Sequence, residues 1–330
     1  MGDIPLFPES ASTASGQFDI MFFFMVFLAV FFTVLVAGAV IYFSFRYRRR
    51  SADEVPPQIS GNTKLEVGLM VPLAGLALIA FTWNAVLYMN MWDPPDDAME
   101  IYVAGKQWMW KMQHPDGQQE INTLHVPVDT PVKLLMTSQD VIHSFYVPAF
   151  RIKHDVLPGR YTTLWFEATD VGEYHLFCAE YCGTNHSRMI GQVIVLGQAD
   201  YEEWLATAGS TGSPTTAGDS GMADSGGTVA PEAAGAQLYE SLGCAGCHNG
   251  GVIGPALDGI FGEEVQLEGG GSATVDENYL RRSILQPNAD IVAGYQPVMP
   301  TFEGQVDEDQ LFQLIKYIES LSSDNAETEQ

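Results

Sequence analysis

The chain has 330 residues, and 41 acidic against 15 basic side chains give it a formal net charge of −26. That sign excludes nucleic acid as a partner, because a polyanion needs a basic surface. The imbalance is strongest beyond residue 199, where Arg281, Arg282 and Lys316 are the basic residues. It fits either an acidic face that steers a cationic partner or a surface adapted to high salt.

Residues 20–44 carry no charge, and neither do residues 67–92. Each run is long enough to cross the ~30 Å hydrocarbon core, which takes about 20 helical residues. A buried helix of a soluble protein is the competing reading for either run alone. Two such runs with strongly polar ends favour a transmembrane hairpin, with helices over about 20–45 and 66–92 within an N-terminal region 1–96. Arg46, Arg48, Arg49 and Arg50 fall between them. The positive-inside rule then puts that loop in the cytoplasm and both termini outside. The N-terminal tail carries Asp3, Glu9 and Asp19 but no basic residue, and it lacks the features of a cleaved signal peptide. Trp83, Tyr88 and Trp92 sit toward the outer end of the second helix, as an interfacial aromatic belt does. Glu66 stands at the start of that helix, where the helix dipole favours a carboxylate.

Residues 97–198 read as all-β, with short apolar runs separated by Gly, Pro, Asp and Asn. About a hundred such residues suit a Greek-key sandwich or barrel. Trp108 and Trp110 lie on one predicted strand, where large aromatic side chains ordinarily fill a core. The most informative stretch is Cys178-x-Glu180-x-Cys182-x3-His186-x2-Met189, with His143 upstream in Asp140-Val-Ile-His143-Ser-Phe. Soft thiolate and thioether sulfur select copper, and imidazole suits it. Two cysteines on one loop can bridge a pair of ions, with His143 and His186 capping one each and Met189 as a weak axial ligand. A disulfide between Cys178 and Cys182 is the simpler alternative, but it leaves the histidine and methionine spacing without a reason. His114, His125, His154 and His175 match no ligand offset and read as surface or internally satisfied histidines.

From residue 209 to 235 the composition shifts to Gly, Ser, Thr, Ala and Pro, a flexible linker that we bound at 199–234. Beyond it, Cys244-x2-Cys247-His248 is the signature of covalent c-type haem attachment, with thioethers from both thiols and iron held by His248. Met299 is the candidate sixth ligand, and a thioether there favours electron transfer over oxygen chemistry. A redox-active or zinc-binding Cys pair is the weaker alternative, since no second pair completes a zinc site. Residues 233–242 and 309–321 have apolar residues at helical spacing, so 235–330 reads as a small helical domain ending in a disordered acidic tail from 322.

On these motifs the chain resembles subunit II of the haem-copper oxidases, and over nearly its full length the fused subunit II–cytochrome c of caa3-type oxidases. The resemblance implies a multidomain membrane protein: a two-helix transmembrane hairpin, an all-β cupredoxin-like domain and an all-α class I cytochrome c domain. It implies the binuclear copper centre CuA, with the Glu180 carbonyl as a further ligand and the Glu180 side chain on a Mg2+ shared with subunit I. It makes Trp108 the point at which electrons enter, with Trp110 in the same aromatic cluster. It places Glu66 at the mouth of a proton pathway, although the segment from Gly68 to Pro72 departs from the commoner pattern, which has a tryptophan after the glutamate. The Pro255 carbonyl corresponds to the one that holds the proximal histidine. The segment with Arg151, Lys153, Asp155 and Arg160 resembles the loop facing subunit I.

The implied role is electron input to an oxidase in the bacterial inner membrane, with both soluble domains on the periplasmic side. An external donor, such as a soluble cytochrome or an upstream respiratory complex, reduces haem c. Haem c reduces CuA, and CuA passes electrons to haem a, haem a3 and CuB of subunit I, coupled to proton pumping. The same module in a CuA-containing nitric oxide reductase is the nearest rival, and Glu180 and Glu66 favour the oxidase. A membrane-tethered carrier with no catalytic partner is a further alternative, but such a carrier needs only one anchor. A quinol oxidase subunit is disfavoured because that branch lacks the copper ligands.

Overall fold

A computed structural model of the protein describes residues 7–55, 61–208 and 229–327. Helices α1 (Ser15–Arg46) and α2 (Thr63–Trp92) have 32 and 30 residues, about 48 and 45 Å at the ~1.5 Å rise of an α-helix. Their apolar side chains point outward on every side, among them Phe23, Phe27, Val34, Leu69, Ile79 and Phe81. A helix that is apolar all round requires lipid or a protein shell. The two touch near one end, where Met21, Ala80 and Leu87 are buried and Phe24 meets Trp83 at 5.7 Å between ring centroids. Both helices begin a few residues earlier than the charge-free runs, because hydrogen bonding continues through polar residues. Asn62 caps α2 by accepting the Leu65 N–H at 3.3 Å.

The β domain has strands β1 (Met99–Lys106), β2 (Met109–Gln113), β3 (Gln119–Ile121), β4 (Thr123–Pro127), β5 (Pro131–Ser138), β6 (His143–Val147), β7 (Ile152–Val156), β8 (Thr162–Glu167), β9 (Gly172–Cys178) and β10 (Ile190–Leu196). They form two five-stranded sheets, ordered β3-β2-β1-β5-β8 and β4-β10-β9-β6-β7. The β1–β5 and β4–β10 pairs are parallel and the others antiparallel, so the chain crosses repeatedly between sheets. Ile101, Val103, Leu134 and Met136 from one sheet meet Leu124, Phe145, Leu176 and Val193 from the other in a fully buried core.

The segment before α1 is attached to this domain. The Ala11 N–H donates to the Ala149 carbonyl at 3.1 Å, and the Thr169 N–H donates to the Ala11 carbonyl at 3.1 Å. The Arg151 guanidinium, on a left-handed residue at φ 58°, grips Asp19 of α1 through Nε at 2.7 Å and a terminal nitrogen at 2.9 Å. A forked guanidinium–carboxylate pair fixes orientation as well as distance. Both ends of α1 and α2 that face the β domain are therefore tied to it.

Residues 198–208, assigned from sequence to the domain boundary and the linker, instead form helix α3 (Gln198–Ala208). Its Trp204 stacks on His125 at 4.5 Å between centroids, and the rest of the expected linker up to residue 228 lies outside the described residues. The C-terminal domain contains α4 (Pro231–Ser241), α5 (Ala245–His248), a hairpin of β11 (Glu264–Gln266) and β12 (Ser272–Thr274), α6 (Glu277–Leu285) and α7 (Glu308–Glu327). The first and last helices cross where Gly235 meets α7: a Cβ at that position would overlap the Gln313 carbonyl. The tail expected to be disordered from residue 322 is helical through Glu327. The hairpin and α6 had no counterpart in the sequence reading.

Candidate functional site

Residues 178–189 connect β9 to β10 at one end of the sandwich, and His143 opens β6 beside them. The loop closes on itself where the Cys178 N–H donates to the Met189 carbonyl at 3.2 Å. It turns at Gly183, whose φ of 116° suits glycine, and a Cβ there would lie 2.9 Å from the Gln107 side chain. The Cys178 and Cys182 sulfurs are 3.8 Å apart, well beyond the ~2.05 Å of a disulfide bond. His143 Nδ1 lies 3.9 Å from the Cys178 sulfur, and His186 Nδ1 lies 3.5 Å from that of Cys182. Met189 brings its sulfur to 3.8 Å from Cys182, and the Glu180 carbonyl accepts from the Cys178 thiol at 3.2 Å. Cys178, Cys182, His143 and Met189 are buried, His186 is half-buried, and the Glu180 side chain is exposed.

This donor set has one imidazole per thiol, and its two sulfurs stand far enough apart for metal–sulfur bonds of about 2.3 Å to a shared ion. Burial opposes ionisation of Cys178, but hydrogen bonds from the His143 ring, the backbone at Glu180 and Ser144, and Cys182 together outweigh it and hold that thiol below its usual range. Burial and the neighbouring Cys178 push Cys182 up. Of the two thiols, Cys178 is the easier to ionise, and a bound cation would favour the thiolate form of both.

Several contacts hold the donors in place. His143 donates from Nε2 to Asp140 Oδ1 at 2.8 Å, which turns Nδ1 toward the sulfurs. Asp140 also accepts the Gln107 N–H at 2.7 Å. The Gln107 side-chain amide and Trp108 Nε1–H both donate to the Cys182 carbonyl, at 2.7 and 3.2 Å. Trp110 is fully buried with its ring edge-on to His143 at 5.9 Å between centroids. The supporting contacts of Gln107 and Asp140 were missed in the sequence, although both residues flank motifs that were found. Among the unassigned histidines, His114 and His125 share Glu120 at 2.9 and 2.6 Å, and His154 Nδ1 donates to the Asp155 carbonyl at 3.0 Å. Glu66 is exposed in the first turn of α2, at the end remote from this site.

The C-terminal domain holds a partly open cavity of about 210 Å³. Its walls include Cys244, Cys247, His248 and Met299, with Leu280 and Ile284 of α6 among the apolar lining. His248 donates from Nδ1 to the Pro255 carbonyl at 2.9 Å, so Nε2 is left free. Gly254 supports the ring: a Cβ there would stand 2.9 Å from His248 Cε1. An apolar cavity with an oriented imidazole and two thiols on its wall fits a haem.

Over residues 118–196 the chain matches the family described as cytochrome C oxidase subunit II, periplasmic domain, and over residues 232–322 it matches cytochrome c. It is 31% identical to the cytochrome c oxidase subunit 2 of Alkalihalophilus pseudofirmus, over 90% of this chain and 82% of that one. It is 32% identical to the subunit 2 of Thermostichus vulcanus, over 60% of this chain and 77% of that one. The chain belongs to the cytochrome c oxidase subunit II family. Among solved structures, the periplasmic domain of subunit II from Bradyrhizobium japonicum is 31% identical, covering 35% of this chain and 96% of that one, with a TM-score of 0.34. A subunit II joined to a cytochrome c domain is the caa3-type arrangement. As such a subunit, the chain is part of an oxidoreductase complex, associates with the membrane, partners subunit I, and carries copper CuA and haem.

Proposed function

We propose that this subunit II takes electrons one at a time from an external donor, a soluble cytochrome or an upstream respiratory complex, and delivers them to subunit I. When bound, haem c and CuA supply the one-electron chemistry in that order, ahead of oxygen reduction and proton pumping in subunit I. Cys244 and Cys247 hold the haem covalently, with His248 and Met299 on its iron. His143, Cys178, the Glu180 carbonyl, Cys182, His186 and Met189 hold the coppers. The single observation that carries this reading is the convergence of those six donors on one buried end of the sandwich.

The chain's own residues keep the donors oriented. Pro255 fixes the His248 ring, and Asp140 fixes that of His143. The exposed Glu180 carboxylate is available to a Mg2+ shared with subunit I. Trp108, hydrogen-bonded to the Cys182 carbonyl, is the electron input to the copper centre. Trp108→Ala should slow reduction of the centre while its copper spectrum stays intact, and an unchanged rate removes the role. Glu66 stands at the mouth of a proton pathway into subunit I, and unchanged proton uptake in Glu66→Gln removes that role. Both soluble domains lie on the periplasmic side of the inner membrane. The attachment of residues 11–19 and of the α2 C-terminal end to the β domain supports this, because it leaves the arginine-rich loop on the opposite side.

Metal and haem analysis of the extracted complex, with electron paramagnetic resonance, tests the whole assignment. Two coppers with a mixed-valence signal and one covalent haem in this chain are expected. Absence of copper together with oxidised Cys178 and Cys182 would overturn it.

A further inference from the structure

Strand β1 is apolar on both faces. Ile101 and Val103 point into the sandwich core, whereas Tyr102 and Ala104 point out of it and are equally buried. On β5, Leu134 and Met136 face inward, and Leu135 on the outer face is 1% exposed. An antiparallel-rich sheet with one solvated face would alternate apolar and polar residues. This outer face is built to be covered, and the cytochrome domain covers it. Tyr102 stacks on Phe312 of α7 with centroids 4.1 Å apart. The Tyr161 N–H donates to the Asn278 side chain of α6 at 2.8 Å, and the Arg281 guanidinium lies over the Tyr161 ring at 5.5 Å.

Charges of opposite sign ring this apolar centre. Lys133 of the sheet pairs with Glu100 at 2.7 Å and with Glu277 of α6 at 3.5 Å. Lys316 of α7 pairs with Glu100 across the interface and with Glu319 at 2.6 Å. Lys111 of β2 reaches Asp309 at 3.4 Å. Burial pushes the Glu100 carboxyl up, but Lys316 and Lys133 outweigh it and hold the group below its usual range. An aromatic centre with a complementary charged surround is the anatomy of a specific interface. The domain beyond residue 199 has few cations, and two of them, Arg281 and Lys316, are committed to this contact.

We propose that the outer face of the β3-β2-β1-β5-β8 sheet is a permanent docking surface for the chain's own cytochrome domain, which is seated there by these contacts and not merely retained by the linker. The face is closed to any other protein, so a donor reaches the cytochrome domain from its opposite side. The inference concerns how the two soluble domains are held together and is independent of which groups they carry.

A protease site placed between residues 209 and 228 allows the linker to be cut in the assembled, detergent-extracted complex. After cutting, the haem-bearing fragment should co-elute with the rest of the chain in gel filtration. Lys316→Glu, which sets a third carboxylate beside Glu100 and Glu319, should release the cut fragment with at least about tenfold weaker retention, as expected for breaking a buried charge pair. Haem absorption reports whether that variant still folds. Separation of the wild-type fragment on cutting overturns the proposal, as does full retention of a folded Lys316→Glu fragment. Either outcome leaves the metal and haem analysis untouched, so the two readings fail independently.

Discussion

His143 and His248 are seated alike and presented in opposite senses. Each ring rests against a glycine, Gly105 for His143 and Gly254 for His248, at positions where a Cβ would come within 2.9 Å of a ring carbon. Each ring spends one nitrogen on the protein. His143 gives Nε2 to Asp140 and keeps Nδ1, whereas His248 gives Nδ1 to the Pro255 carbonyl and keeps Nε2. The surroundings differ more. Neighbouring members of the proposed copper donor set stand 3.2–3.9 Å apart, with Cys178, Cys182, His143 and Met189 already buried in the sandwich. The proposed haem residues line a partly open apolar cavity of about 210 Å³, so the ligand itself must complete the core. A small ion needs its donors to converge beforehand, whereas a porphyrin supplies much of the packing that shapes its own site.

The strongest test of that contrast is removal of each ligand. Cys244→Ser with Cys247→Ser should abolish covalent haem and leave residues 231–327 sensitive to protease, while the copper absorption of the β domain persists. Copper depletion by a chelator should leave the β domain resistant. If the haem-free C-terminal domain resists protease as well as the copper-free β domain does, the contrast is wrong. A smaller effect is expected from Gly254→Val, which forces the His248 ring aside and costs about 1–3 kcal/mol, the usual penalty of overpacking. Its readout is the loss of the normal haem ligation spectrum. Gly105→Ala should be the mildest, at about 1 kcal/mol. It should shift the copper absorption and hyperfine pattern without loss of copper, because His143 remains tied to Asp140. An unchanged copper spectrum would show that Gly105 does not seat the ring.

The sequence made both ligand sets legible for different reasons. Of the proposed copper donors, Cys178, Cys182, His186 and Met189 fall within twelve residues, and three of the four proposed haem residues are nearly contiguous, so spacing exposed them, whereas the Glu180 carbonyl entered only through the family resemblance. The two long apolar helices were legible because residues 20–44 and 67–92 carry no charge. Helix α3 was hidden by the low-complexity stretch that follows it, and its anchors Tyr201 and Trp204 are too few to make a periodic pattern. Helix α6 was hidden because Glu277, Asn278, Arg281 and Arg282 interrupt its apolar residues, and all four turn out to meet partners. The apolar run of β1 was visible, but a strand buried on both faces does not name what lies on its second face.

The attachment of residues 11–13 to the β domain has a mechanical consequence. If α2 alone led into β1, residues 93–98 would act as a hinge, and the sandwich would be free to swivel on the end of one rod. The hydrogen bonds of Ala11 and the Arg151–Asp19 fork give it a second mount on α1. A body bolted at two points cannot rotate about either. The copper-bearing end of the sandwich therefore keeps a fixed bearing relative to the helix pair, and whatever docks beside those helices meets the site at a constant angle.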